Sequence, residues 1–99
     1  MSYVTAQPEE LAAAATTLQA IGAALSAQNA AAAAPTTGVT PAAADPVSAL
    51  TAAQFVMHAQ MYQAVSAQAA TIHQLFANTL ATSGGSYAAT EAANAIATR

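Results

Sequence analysis

The chain has 99 residues, 56% of them hydrophobic and only 5% charged, and 33 are alanine. One Lys/Arg against four Asp/Glu gives a net charge of −3 and leaves no basic patch, which excludes nucleic-acid binding. The absence of cysteine excludes a disulfide framework and a thiolate site. High hydrophobicity with low charge is the reverse of a disordered composition, the length permits a single domain, and alanine favours helix over every other state.

The first 30 residues carry no Lys or Arg and so lack the cationic region of a Sec-type signal. Pro8 suits the first turn of a helix, where its missing N–H costs nothing. Glu9 and Glu10 follow where the helix dipole favours negative charge. The pattern predicts helix 1 over about 8–34, interrupted only by Gly22. Pro35, Gly38 and Pro41 are expected to end it, giving a connector over 35–44. Asp45-Pro46 then reads as N-cap and first helical residue. Helix 2 is predicted over about 46–82, stopped by Ser83-Gly84-Gly85, with a small-residue tail over 83–99, helical or frayed. The short connector implies an all-α, antiparallel helical hairpin. Leu11 to Ala44 and Pro46 to Thr90 are uncharged. Their bulk is Ala diluted by Thr, Ser, Gln and Asn, so insertion into a membrane is not expected.

The apolar faces do not balance. In helix 1, Leu11, Leu18, Ile21 and Leu25 fall within an arc of roughly 80°. Helix 2 carries Val47, Leu50, Phe55, Met57, Met61, Tyr62, Val65, Ile72, Leu75, Phe76 and Leu80 over roughly 160°. One narrow seam covers only part of that arc. The side with Phe55, Tyr62, Phe76 and Leu80 is expected to find nothing in this chain to bury against. A contiguous aromatic and aliphatic stripe is not ordinary surface, so a second chain is expected to complete a four-helix bundle. Composition alone leaves homodimer and heterodimer open. The candidate partner-binding residues are Leu11, Leu18, Ile21 and Leu25 of helix 1. In helix 2 they are Leu50, Phe55, Met57, Met61, Tyr62, Val65, Ile72, Leu75, Phe76 and Leu80.

Catalytic chemistry is thin. His58 and His73 lie fifteen residues apart, about 22 Å along a helix, and cannot share a metal. Neither has a carboxylate three or four residues away. Both read as packed interface histidines, and His73 is expected to matter little. Gly84-Gly85-Ser86 lacks the strand that a nucleophile elbow needs, and Glu9-Glu10 is a helix-start feature. No enzyme activity, metal or cofactor is expected. Tyr87 and Glu91, at i and i+4, share a face if the segment is helical.

As a set, several segments resemble the N-terminal domain of the mycobacterial PE family, named for a Pro-Glu pair that here falls at Pro8-Glu9. They are Met1-Ser2-Tyr3-Val4, Ala27-Gln28-Asn29-Ala30, Ala34-Pro35-Thr36-Thr37-Gly38 and Pro41-Ala42-Ala43-Ala44-Asp45, then Val47 through Phe55, His58-Ala59-Gln60 and Gly85 through Glu91. Tyr3 stands where many members have Phe. The chain ends at Arg99 and looks like the domain alone, whereas many members append further regions.

The resemblance implies an antiparallel two-helix protein that pairs with a PPE-family partner in a four-helix bundle. It implies export of the complex by a type VII (ESX) secretion system, with a cytosolic chaperone reaching it through the PPE chain. The protein would be cytoplasmic before export and secreted or surface-located after it. The family's export motif, Y-x-x-x-[D/E], maps onto Tyr87 and Glu91. The alternative is a self-assembling structural or surface-active Ala-rich helix. It would need a regular Thr grid or a basic polar face, and the sequence has neither.

Overall fold

The computed structural model describes residues 5–99, so the Met1-Ser2-Tyr3-Val4 opening lies outside the described residues. Two helices make up the described chain, α1 (Pro8–Thr37) and α2 (Pro46–Ala97), with no strand among the described residues.

α1 starts where the Pro-Glu-Glu run predicts. The Gln7 carbonyl accepts from the N–H groups of Glu10 at 3.0 Å and Leu11 at 3.3 Å. With its amide nitrogen turned toward Glu10, the Gln7 side chain reaches both carboxylate oxygens, at 2.9 and 2.8 Å. The end differs from expectation, because α1 runs on to Thr37 with Pro35 in its last turn. A proline removes one backbone donor, but in the last turn the helix end is closed by bonds from the residues that follow it. The Gly38 N–H donates to the Ala34 carbonyl at 3.0 Å, and the Thr36 and Thr37 hydroxyls donate to Ala32 and Ala33 at 2.6 and 2.7 Å. The connector is therefore residues 38–45.

α2 opens on the expected cap. Asp45 Oδ1 accepts from the Ser48 N–H and Oδ2 from the Ser48 hydroxyl, both at 2.8 Å. These bonds hold the Asp45 carboxyl below its ordinary pKa, the backbone N–H contributing most. The predicted stop at Ser83-Gly84-Gly85 does not occur; α2 continues to Ala97. A glycine ends a helix by taking positive φ, and no described glycine does so. Gly84 serves close approach instead. A Cβ there would lie 3.3 Å from Leu11 Cβ, 3.4 Å from the Pro8 carbonyl oxygen and 3.5 Å from the Ala12 nitrogen.

The chain packs as two units. In the first, α1 up to Gly22 lies against α2 from Ile72 onward. The helices are antiparallel there, since Pro8 and Leu11 meet Gly84 while Leu18 and Gly22 meet His73. Ala15, Ala77 and Gly84 are buried, and Leu11, Leu18, His73 and Leu80 are half-buried. The second unit, Ala23–Thr71, holds the end of α1, the connector and the start of α2, and is a helical hairpin. Ala52 and Ala59 are buried, with Asn29, Ala32, Ala33, Gln63 and Ser66 half-buried. Across this hairpin the Tyr62 hydroxyl donates to Asn29 Oδ1 at 2.8 Å and Gln63 Nε2 donates to the Asn29 carbonyl at 3.0 Å. Every buried hydrophobic residue among those described is an alanine.

Candidate partner-docking surface

The small-residue contact lines decide where the large side chains go. In α1, Ala15 and Gly22 face the partner helix within the first unit. At about 100° per residue, Ile21 and Leu25 stand about 90° away from that line. In the second unit, Ala52 and Ala59 mark the inner face of α2; Leu50, Met57 and Met61 point nearly opposite and Val65 about 130° away. In the first unit, Ile72, Leu75 and Phe76 are turned about 90–170° from the Ala77–Gly84 line. The bulky groups are thus directed outward by the register that brings the small ones together.

Of the fourteen apolar candidates, eleven are exposed: Ile21, Leu25, Leu50, Phe55, Met57, Met61, Tyr62, Val65, Ile72, Leu75 and Phe76 keep 50–67% of their surface. The other three correct the sequence reading. Leu11, Leu18 and Leu80 are half-buried between the helices of the first unit. Leu80 was expected to find nothing in this chain to bury against, but it lies one turn from Gly84 and one residue off Ala77's turn, on the inner side of α2. Tyr62, placed in the same group, keeps its ring exposed but anchors its hydroxyl on Asn29. Of the expected Leu seam of helix 1 only Leu11 and Leu18 are partly covered, while the buried positions are alanines and Gly84. Val39 in the connector and Ile96 near the end of α2 are further exposed apolar residues. Helical periodicity cannot find the first, and the second lay in what read as a tail.

The two histidines part company. His58 is exposed and lines an apolar groove of about 430 Å³ with Ala32, Pro35, Thr36, Val39, Phe55, Ala59 and Tyr62. His73 is half-buried, its Nε2 lying 2.5 Å from the Leu18 carbonyl oxygen and its ring packed over Gly22. A carbonyl only accepts, so Nε2 carries the proton there. His73 thus makes its contact inside this chain, within the first unit. Gly22 is not a flaw in α1 but the seat for that ring. Among the described residues no three His, Asp or Glu side chains gather where they could hold a metal ion. No helix among them is long and apolar enough to cross a membrane.

Tyr87 and Glu91 lie one turn apart on α2, both exposed, so they share a helical face. Tyr87 borders a groove of about 440 Å³ with Gln7, Glu10 and Leu11 of the α1 start.

The PE family model matches residues 4–94, which takes in α1, all but the last three residues of α2, and the Tyr87–Glu91 pair. The chain belongs to the PE family. Among mycobacterial PE proteins it is 70% identical over 97 residues to PE family protein PE13 of Mycobacterium tuberculosis, covering 98% of each chain. It is 56% identical to PE family protein PE8 of the same species over 98% of this chain but 35% of that one. It is 58% identical to PE-PGRS family protein PE_PGRS33 over 96% of this chain and 20% of that protein. The shared part is the helical region described above, and the longer relatives continue beyond it.

Proposed function

We propose that this PE protein is a non-enzymatic helical partner that forms a heterodimer with a PPE-family protein. We further propose that the pair is exported through a type VII (ESX) secretion system. One observation carries the pairing: the chain exposes too much surface, and the wrong kind. A compact monomer of 9.7 kDa has an accessible surface of about 5,100 Å². This chain has 7358 Å². The excess, about 2,200 Å², exceeds what one partner contributes to a standard interface, about 800 Å². It coincides with fifteen exposed large hydrophobic residues among the described ones, spread over both packing units. Two added helices closing a four-helix bundle would cover such surface.

Membership in the PE family favours a PPE chain over a second copy, and an exposed Tyr87–Glu91 face suits a signal read by export machinery. Co-expression with a PPE-family protein, followed by size-exclusion chromatography with light scattering, tests the pairing. A 1:1 complex is expected. A chain that remains a monomer with a cooperative melt in the presence of PPE proteins refutes it, and a stable homodimer points to the self-assembling alternative. Export is tested by Tyr87→Ala with assay of the culture filtrate. Loss of export with the complex intact is expected, and undiminished export removes the motif's role.

A further inference from the structure

Resting on the heterodimer reading above, we propose that His58 sets partner specificity and register: the facing helix must place a side-chain hydrogen-bond acceptor over the groove that His58 shares with Pro35, Val39, Phe55 and Tyr62.

The groove is apolar apart from three groups. Two have spent their donors inside the chain, the Tyr62 hydroxyl on Asn29 Oδ1 at 2.8 Å and the Thr36 hydroxyl on the Ala32 carbonyl at 2.6 Å. The His58 imidazole makes no hydrogen bond among the described residues and is exposed to water. On α2 it stands one turn from Phe55 on one side and one turn from Tyr62 on the other, both at least half exposed, so a chain lying along those two passes over His58.

Once covered, a neutral imidazole still presents one N–H, and leaving it unpaired in an apolar seam is costly. Backbone carbonyls in the middle of a partner helix are already used by that helix. The acceptor therefore has to be a side chain, a carboxylate, amide or hydroxyl. The outward positions of Met61 and Val65 accept any apolar helix at many registers. An N–H that needs one acceptor at one height does not, which is how a single polar group in an apolar seam fixes register.

The test uses the purified complex of this chain with a co-expressed PPE-family chain. Dissociation constants are measured for wild type, His58→Leu and His58→Gln, with far-UV circular dichroism to check that the exposed substitutions keep the helices. The partner's acceptor, left unpaired opposite Leu, predicts about five- to hundredfold weaker pairing for His58→Leu. His58→Gln, which keeps a donor, is expected within about threefold of wild type. Equal or tighter pairing by His58→Leu, as a purely apolar contact requires, overturns the assignment. So does an equal loss in both variants, which ring shape alone would give. Failure of the heterodimer reading itself shows earlier, as wild type that forms no complex.

Discussion

The contact of His73 with Gly22 makes a prediction whose sign depends on background. A Cβ at residue 22 would lie 2.7 Å from His73 Cδ2 and 2.9 Å from Nε2, closer than van der Waals contact allows. The ring must swing away, and its bond to the Leu18 carbonyl goes with it. Losing that bond costs about 0.5–1.5 kcal/mol, and forced repacking costs about 1–3 kcal/mol. Replacing glycine by alanine within a helix returns about 1 kcal/mol. Gly22→Ala is thus expected to destabilise by about 2 kcal/mol, taking mid-range values for those three effects. In a His73→Ala background the obstacle is gone, and Gly22→Ala should stabilise by up to about 1 kcal/mol. The assay is urea unfolding followed by far-UV circular dichroism on all four members of the cycle, in the isolated chain or in the complex. A coupling of about 2 kcal/mol or more between the two sites is expected. Additive effects, or a stabilising Gly22→Ala in the wild-type background, would refute the seating of the ring on Gly22.

The adjacent glycines of α2 should behave oppositely. Gly85 has nothing within 4 Å of a new Cβ, so Gly85→Ala should raise stability by about 1 kcal/mol. Gly84→Ala meets Leu11 Cβ and the α1 backbone and should give no such gain; equal shifts in unfolding midpoint would contradict the close approach at Gly84. Asp45→Ala should lower the melting temperature by removing the α2 cap. Because the folded carboxyl lies below its ordinary pKa, the cap contributes fully above the ordinary carboxylate range and is lost as pH falls through the folded value. The wild-type advantage over Asp45→Ala, read as a difference in melting temperature, should therefore vanish in strong acid. Phe55→Asp or Met61→Asp should abolish pairing, since each buries an unpaired charge at a cost of several kcal/mol. Both positions are exposed in the chain alone, so light scattering should detect loss of the complex while circular dichroism of the isolated chain stays unchanged.

Features set by local chemistry were legible in the sequence. Pro8 with Glu9 and Glu10 starts α1, Asp45 caps α2, and the surplus of large side chains on α2 is present in the folded chain. Features set by one helix touching another were not. Ser83-Gly84-Gly85 reads as a stop because glycine usually ends helices, yet Gly84 is helical and pressed against the start of α1. The inner contact line was hidden for a related reason. Pro8, Ala15, Gly22 and Asn29 are spaced by seven, as are Ala52, Ala59, Ser66, His73 and Leu80, but in a chain with 33 alanines such a repeat does not stand out from its background. The large apolar residues Ile21 and Leu25 stand to one side of it. Of the candidate site, the exposed residues were legible, while the half-burial of Leu11, Leu18 and Leu80 required the register.

That register also explains why the apolar surplus exists at all. Alanine and glycine let two helices approach closely, but each buried alanine contributes only about one methyl group, about 0.8 kcal/mol. A leucine or phenylalanine in the same place would contribute about 1.5–3 kcal/mol. The chain therefore puts its weakest hydrophobes where its own helices meet and its strongest ones where they do not. Such an arrangement is poor design for a monomer and sensible for half of a bundle. The small inner seam aligns the helices through Gly22 with His73 in one unit and Asn29 with Tyr62 and Gln63 in the other, while the large outer residues stay exposed in the chain alone and, in the heterodimer proposed above, would be buried against a second chain. Covering them turns an aligned but weakly held pair of helices into a stable assembly, so the folding free energy of this PE protein and its binding free energy should be measured together rather than apart.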